Sequence, residues 1–145
     1  GQVREIRGKT LGIVGFGDIG RRVAKLARAF GMAIVAHDPV LPEGHAGWSE
    51  TPTERLELAA LLARADAVTL HVPPVPATRG LISAPQLALM KPGAVLVNTA
   101  GGGVVEEAAL AAALRGGQLA GAALDVFGEE PLPPGSPLAG CPNLI

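Results

Sequence analysis

The chain has 145 residues, 48% apolar and 17% charged, which suits one domain (1–145) with its own core and excludes a disordered or charge-driven chain. With 12 Lys and Arg against 13 Asp and Glu the net charge is -1, so no basic field is present to hold nucleic acid or an anionic membrane. The single cysteine, Cys141, cannot close an internal disulfide, and the apolar runs are strand-sized; this excludes a disulfide scaffold and a transmembrane helix and points to a cytoplasmic setting.

The run TLGIV at 10–14 ends in glycines and reads as a buried parallel strand. Over 18–30, Ile19, Val23, Leu26, Ala27 and Phe30 recur at helical spacing between Arg and Lys, which predicts an amphipathic helix stopped by Gly31. A second strand is expected at 33–36, then a Pro- and Gly-rich loop over 40–52. Thr53 is placed to cap a helix over 54–64 with Leu58, Leu61 and Leu62 on one face. A third strand at 67–71 is closed by Pro73, Pro74 and Pro76. Ser83 is placed to cap a short helix that ends at Lys91-Pro92-Gly93. A fourth strand at 94–98, a helix at 106–115 and a fifth strand at 119–124 follow. The tail 127–142 carries five prolines and reads as an extended connection, with a sixth strand beginning at Leu144-Ile145. Repeated strand–helix–strand units predict a doubly wound parallel α/β sheet. The chain begins without Met and stops on an apolar run, so a fragment of a longer polypeptide is expected.

Gly15-Phe16-Gly17-Asp18-Ile19-Gly20 is a GxGxxG run. It follows a strand and opens a helix, the setting in which its glycines serve a pyrophosphate: the first permits the turn, the second close approach, the third helix–strand packing. The helix N-terminus supplies free N–H groups to the phosphates. Asp38 lies 18 residues after Gly20, at the end of the second strand. A carboxylate there can accept hydrogen bonds from both adenosine ribose hydroxyls and repels a 2′-phosphate, which favours NAD over NADP.

Other strand ends face the same crevice. His71 ends the third strand and reads either as a structural histidine or as an acid–base group. Small residues after Asn98 let a flat ring lie on backbone. Asp125, ending the fifth strand, reads equally as a carboxamide acceptor and as a turn cap. Glu129 and Glu130 read as solvated or as orienting a histidine supplied from elsewhere. No His or Cys spacing suggests a metal, and Trp48 reads as loop packing.

The stretches GKTLGIVGFGDIG, LHVPPVPATRGLI, LMKPGAVLVNTAGGGVVEEAAL and LAGAALDVFGEEPLP together resemble the Rossmann-type NAD-binding domain of the D-isomer-specific 2-hydroxyacid dehydrogenases. The resemblance implies NAD as cofactor and a fragment lacking the substrate-binding domain, which binds the small 2-hydroxy or 2-keto acid. It implies that Asp18 and Ile19 meet the pyrophosphate and Asp38 the ribose. Val72, Pro73 and Thr78 fall on the adenosine side; Thr99, Ala100, Gly101 and Asp125 fall near the nicotinamide. Of the family's catalytic Arg, Glu and His, the Glu falls on Glu130 and the His beyond Ile145. The Arg position holds Gly101, which supplies no charge. The resemblance also implies a homodimer and hydride transfer between nicotinamide and a D-2-hydroxy acid. The alternative is a non-catalytic NAD(H)-sensing module, with Gly101→Arg expected to restore activity.

Overall fold

The computed structural model describes residues 4–145. In chain order the elements are β1 (Thr10–Val14), α1 (Asp18–Ala29), β2 (Ala33–His37), α2 (Gly47–Glu50), β3 (Glu54–Arg55), α3 (Leu58–Arg64), β4 (Ala67–Leu70), α4 (Ala84–Leu89), β5 (Ala94–Asn98), α5 (Glu107–Arg115) and β6 (Leu119–Leu124). The strands form one parallel sheet in the order β3-β2-β1-β4-β5-β6. The order reverses between β1 and β4, and ligands of such sheets bind in the crevice that opens there at the carboxyl ends of the strands.

Strand alternation sorts the core onto two faces. Leu11, Ile13, Ile34 and Ala36 pack with Ala24 and Ala27 of α1. Val14, Val35, Val68, Leu70 and Leu96 pack on the other face with α3, α4 and α5 through Leu61, Leu62, Leu87, Leu110 and Leu114. A Cβ on Gly12 would come within 2.7 Å of Leu61 Cδ2 and 2.9 Å of Ala65 Cβ, so α3 lies against β1 because that position has no side chain.

Several expectations need correction. Glu54 and Arg55 are not the start of a helix; they are an edge strand paired with Val35 and Ala36. The helix begins at Leu58, and the Thr53 hydroxyl donates to Thr51 O instead of capping it. A two-residue exposed strand carrying two charges is a common way to end a sheet. The 40–52 loop contains one helical turn, α2. In α1 the buried residues are Gly20, Ala24 and Ala27, while Ile19, Leu26 and the C-cap Phe30 are about two-thirds exposed. Small residues face the sheet because the helix starts almost in contact with the loop it leaves. Ser83 does stand at the N-cap of α4, where Gln86 Oε1 accepts from its backbone N at 3.1 Å and from its hydroxyl at 2.7 Å. Leu144 pairs in parallel with Ala122, so the tail returns to the free edge of β6.

Candidate functional site

The three glycines of the 15–20 loop stand in different surroundings. Gly15 has φ +92°, and a Cβ there would lie 2.5 Å from His71 O; the exits of β1 and β4 touch at this point. A Cβ on Gly20 would collide with Gly15 O, so the helix can begin this close only without one. Around Gly17 nothing lies within 4 Å of the Cβ position. No neighbour requires glycine there; the residue is the N-cap of α1, and its backbone stays open to close approach. The first intrahelical bond of this loop runs from Arg21 N to Gly17 O at 2.9 Å. The N–H groups of the first turn therefore have no helical acceptors. Asp18 would repel a pyrophosphate, but its Oδ1 accepts from Arg21 at 2.8 Å, and the same guanidinium donates to Phe16 O at 2.9 Å. The arginine offsets the acid and braces the loop.

Asp38 is more than a solvated strand end. Its Oδ2 accepts from Phe16 N at 2.8 Å, and its Oδ1 accepts from Val40 N at 2.9 Å and Leu41 N at 3.1 Å. The carboxylate thus ties the glycine loop to the end of β2. A carboxylate has about four acceptor positions, so three amides leave room for about one ribose hydroxyl unless the loop shifts. Phe16 stacks on Trp48 with centroids 4.8 Å apart, and Arg55 lies over that indole at 5.4 Å, so Trp48 packs the loop. His37 Nδ1 donates to Leu56 O at 2.9 Å, and Gly47 N donates to His45 Nδ1 at 2.9 Å; both rings hold loops.

The exits of β4, β5 and β6 gather the remaining candidates. Val72 and Pro73 begin the 71–78 loop. The Thr78 hydroxyl closes that loop: it accepts from Val75 N at 3.1 Å and donates to the carbonyls of Pro73 or Val75. His71 Nε2 bonds Thr69 Oγ1 at 2.9 Å, and burial pushes its imidazole below the ordinary 6.5. The bond and the burial accord with the structural reading of this histidine. Asn98 is buried; its Oδ1 accepts from Ala100 N at 3.0 Å and its Nδ2 donates to Gly101 O at 3.2 Å. It staples Thr99 and Ala100 across the end of β5, a role missed from the sequence. An Asn two residues before small residues is the pattern of an Asx turn and was the available signal.

Asp125 is exposed, and its backbone N donates to Asn98 O at 3.0 Å. Among the described residues its carboxylate accepts no hydrogen bond. Glu130 Oε1 accepts from Phe127 N at 2.9 Å, so its carboxylate folds onto its own loop. Gly101 is buried, and a Cβ there would lie 2.6 Å from Pro74 Cβ. Restoring a side chain by Gly101→Arg alone therefore requires the 71–78 loop to move.

The profile described as "D-isomer specific 2-hydroxyacid dehydrogenase, NAD binding domain" matches residues 1–145. The chain belongs to this family. It is 54% identical over 97% of its length to an (S)-sulfolactate dehydrogenase of Chromohalobacter salexigens, covering 45% of that protein. It is 48% identical over 97% of its length to a D-3-phosphoglycerate dehydrogenase of Methanocaldococcus jannaschii, covering 26% of it. Among solved structures, the NAD complex of an NAD-dependent formate dehydrogenase from Staphylococcus aureus matches with a TM-score of 0.87 at 34% identity, over 97% of this chain and 41% of that one. The chain thus spans less than half the length of these relatives.

As an NAD-binding domain of this family, the chain presents residues that fit the dinucleotide. The space at Gly17 is open, the first-turn amides of α1 are free of helical partners, and Asp38 and Asp125 lie at the ends of β2 and β6. Among the described residues no helix is long and apolar enough to cross a membrane.

Proposed function

We propose that this domain serves an NAD-dependent oxidoreductase acting on a D-2-hydroxy acid or its 2-keto counterpart. The bound dinucleotide supplies the hydride acceptor or donor. The first-turn amides of α1 and Gly17 hold the pyrophosphate, with Asp18 and Ile19 beside it. Asp38 takes the adenosine ribose, and Val72, Pro73 and Thr78 form the wall on that side. Thr99, Ala100 and Gly101 form the bed of the nicotinamide ring, with Asp125 accepting from its carboxamide. Glu130 orients a histidine from chain beyond these 145 residues, and a substrate-binding domain there completes the site. The protein works in the cytoplasm as a homodimer. Nothing in the comparisons favours a sensing module over the enzyme.

The observation that carries the reading is the Asp38 carboxylate, held 2.8 Å from the glycine-loop amide of Phe16. A carboxylate at the end of β2 would repel a 2′-phosphate. Calorimetry should give NADH roughly tenfold or more tighter binding than NADPH, the scale of one charge-assisted hydrogen bond. Asp38→Ser combined with Pro39→Arg should reverse that order. Equal affinities in the unaltered protein would remove Asp38 from the role.

A further inference from the structure

The segments that follow β4 and β5 run side by side: Gly80 N donates to Gly103 O at 2.7 Å and Ile82 N to Val104 O at 3.0 Å. A cleft of about 420 Å³ opens over this seam. Pro74, Thr78 and Arg79 line one side of it, and Gly102, Gly103 and Gly128 line the other. The glycine side is bare backbone. A Cβ on Gly102 would collide with Phe127 O and lie 3.0 Å from Gly128 N, and Gly103 holds φ +86°. The β5 and β6 exits close together there only without side chains. Glu107 stands behind this wall, where its Oε2 accepts from Gly128 N at 3.0 Å.

Arg79 is the only charged residue in the lining. Its backbone N donates to Pro76 O at 3.3 Å. Among the described residues its guanidinium makes no hydrogen bond or ion pair. An exposed guanidinium on a cleft otherwise free of charge suits a planar anion, because its rigid fork matches a carboxylate through two parallel N–H···O bonds. The cleft begins one residue past Gly101, which brings no charge and whose side-chain space is taken by Pro74. The same 71–80 segment therefore closes the space at Gly101 and carries a cation a few residues later.

We infer that Arg79 is the carboxylate anchor of this cleft and that its ligand is a small 2-keto or 2-hydroxy acid. The choice of acid rests on the function proposed above; the anion site rests on the cleft alone.

The test uses the 145-residue chain described above, saturated with NADH and titrated with sodium pyruvate and, separately, with the neutral pyruvamide. The readout is the Arg79 side-chain Nε–H signal in NMR. Pyruvate should shift that signal saturably and pyruvamide should leave it in place. Arg79→Ala should weaken pyruvate binding roughly tenfold or more, and Arg79→Lys should recover part of it by keeping the charge without the fork. NADH affinity should be the same in all three proteins. Pyruvate binding that is unchanged in Arg79→Ala overturns the assignment, as does an Arg79 signal that pyruvate does not move. If pyruvate binds through Arg79 but NADH does not bind, the anion site stands and the coenzyme reading falls.

Discussion

Gly17 and Gly20 show how residues of one type answer to different masters. Gly20 is required by the fold, because any Cβ meets Gly15 O, while Gly17 faces open space. Gly20→Ala should cost about 1–3 kcal/mol, the usual cost of overpacking, measured by urea unfolding. Gly17→Val should cost no more than about 1 kcal/mol, the cost of a poor N-cap for α1, and abolish NADH binding by calorimetry. A Gly17→Val protein that still bound NADH normally would move the pyrophosphate elsewhere. His71 offers a second single-residue test. Burial lowers its pKa below the 6.5 it has when unfolded, so in the window between the two values the unfolded chain binds the extra proton. Its contribution is complete above pH 6.5 and is lost as pH falls through the folded value. The stability advantage of the parent over His71→Gln should accordingly shrink between pH 7 and pH 5. Parallel pH curves for the two proteins would show that His71 does not titrate as its burial requires.

Among the elements, α1 departs furthest from an ordinary amphipathic helix. Its sequence period is helical, yet the face that touches the sheet is Gly20, Ala24 and Ala27, and Leu26 and Phe30 lie outside. The cause is distance: a helix that leaves its strand through three glycines lies too close to the sheet for large side chains. Ala24→Leu should therefore destabilise by about 1–3 kcal/mol, whereas Leu26→Ala should stay within about 0.5 kcal/mol. Thermal and urea unfolding of the two variants check the order, and the reverse order would mean that α1 is rotated. β3 is the complementary case. Two residues carry no readable period, and only the backbone of Val35 and Ala36 makes them a strand.

For the whole molecule, the parallel sheet brings the exits of β1, β2, β4, β5 and β6 to one edge, which is why residues far apart in sequence face one crevice. The proposed homodimer is a statement at this scale. Sedimentation velocity at micromolar concentration should show a species of twice the chain mass, and a single species at 14.6 kDa would remove the dimer.

From the sequence alone came the strands at 10–14, 94–98 and 119–124, the glycine loop, and the acids at 38 and 125. Each is written in a local pattern: an apolar run, a glycine spacing, a polar residue at a strand end. The resemblance carried by the stretches around Asn98 and Glu130 added the family, which the profile match over 1–145 bears out. Tertiary structure decided the remainder. The strand at 54–55, the outward face of α1, the three amides on Asp38, the Asn98 staple and the Pro74 ring over Gly101 depend on what lies across space from each residue. A chain pattern records which side chains alternate. It does not record how near the next layer comes, and that separation determines which glycines are structural, which apolar residues stay wet, and where the cleft finds its positive charge.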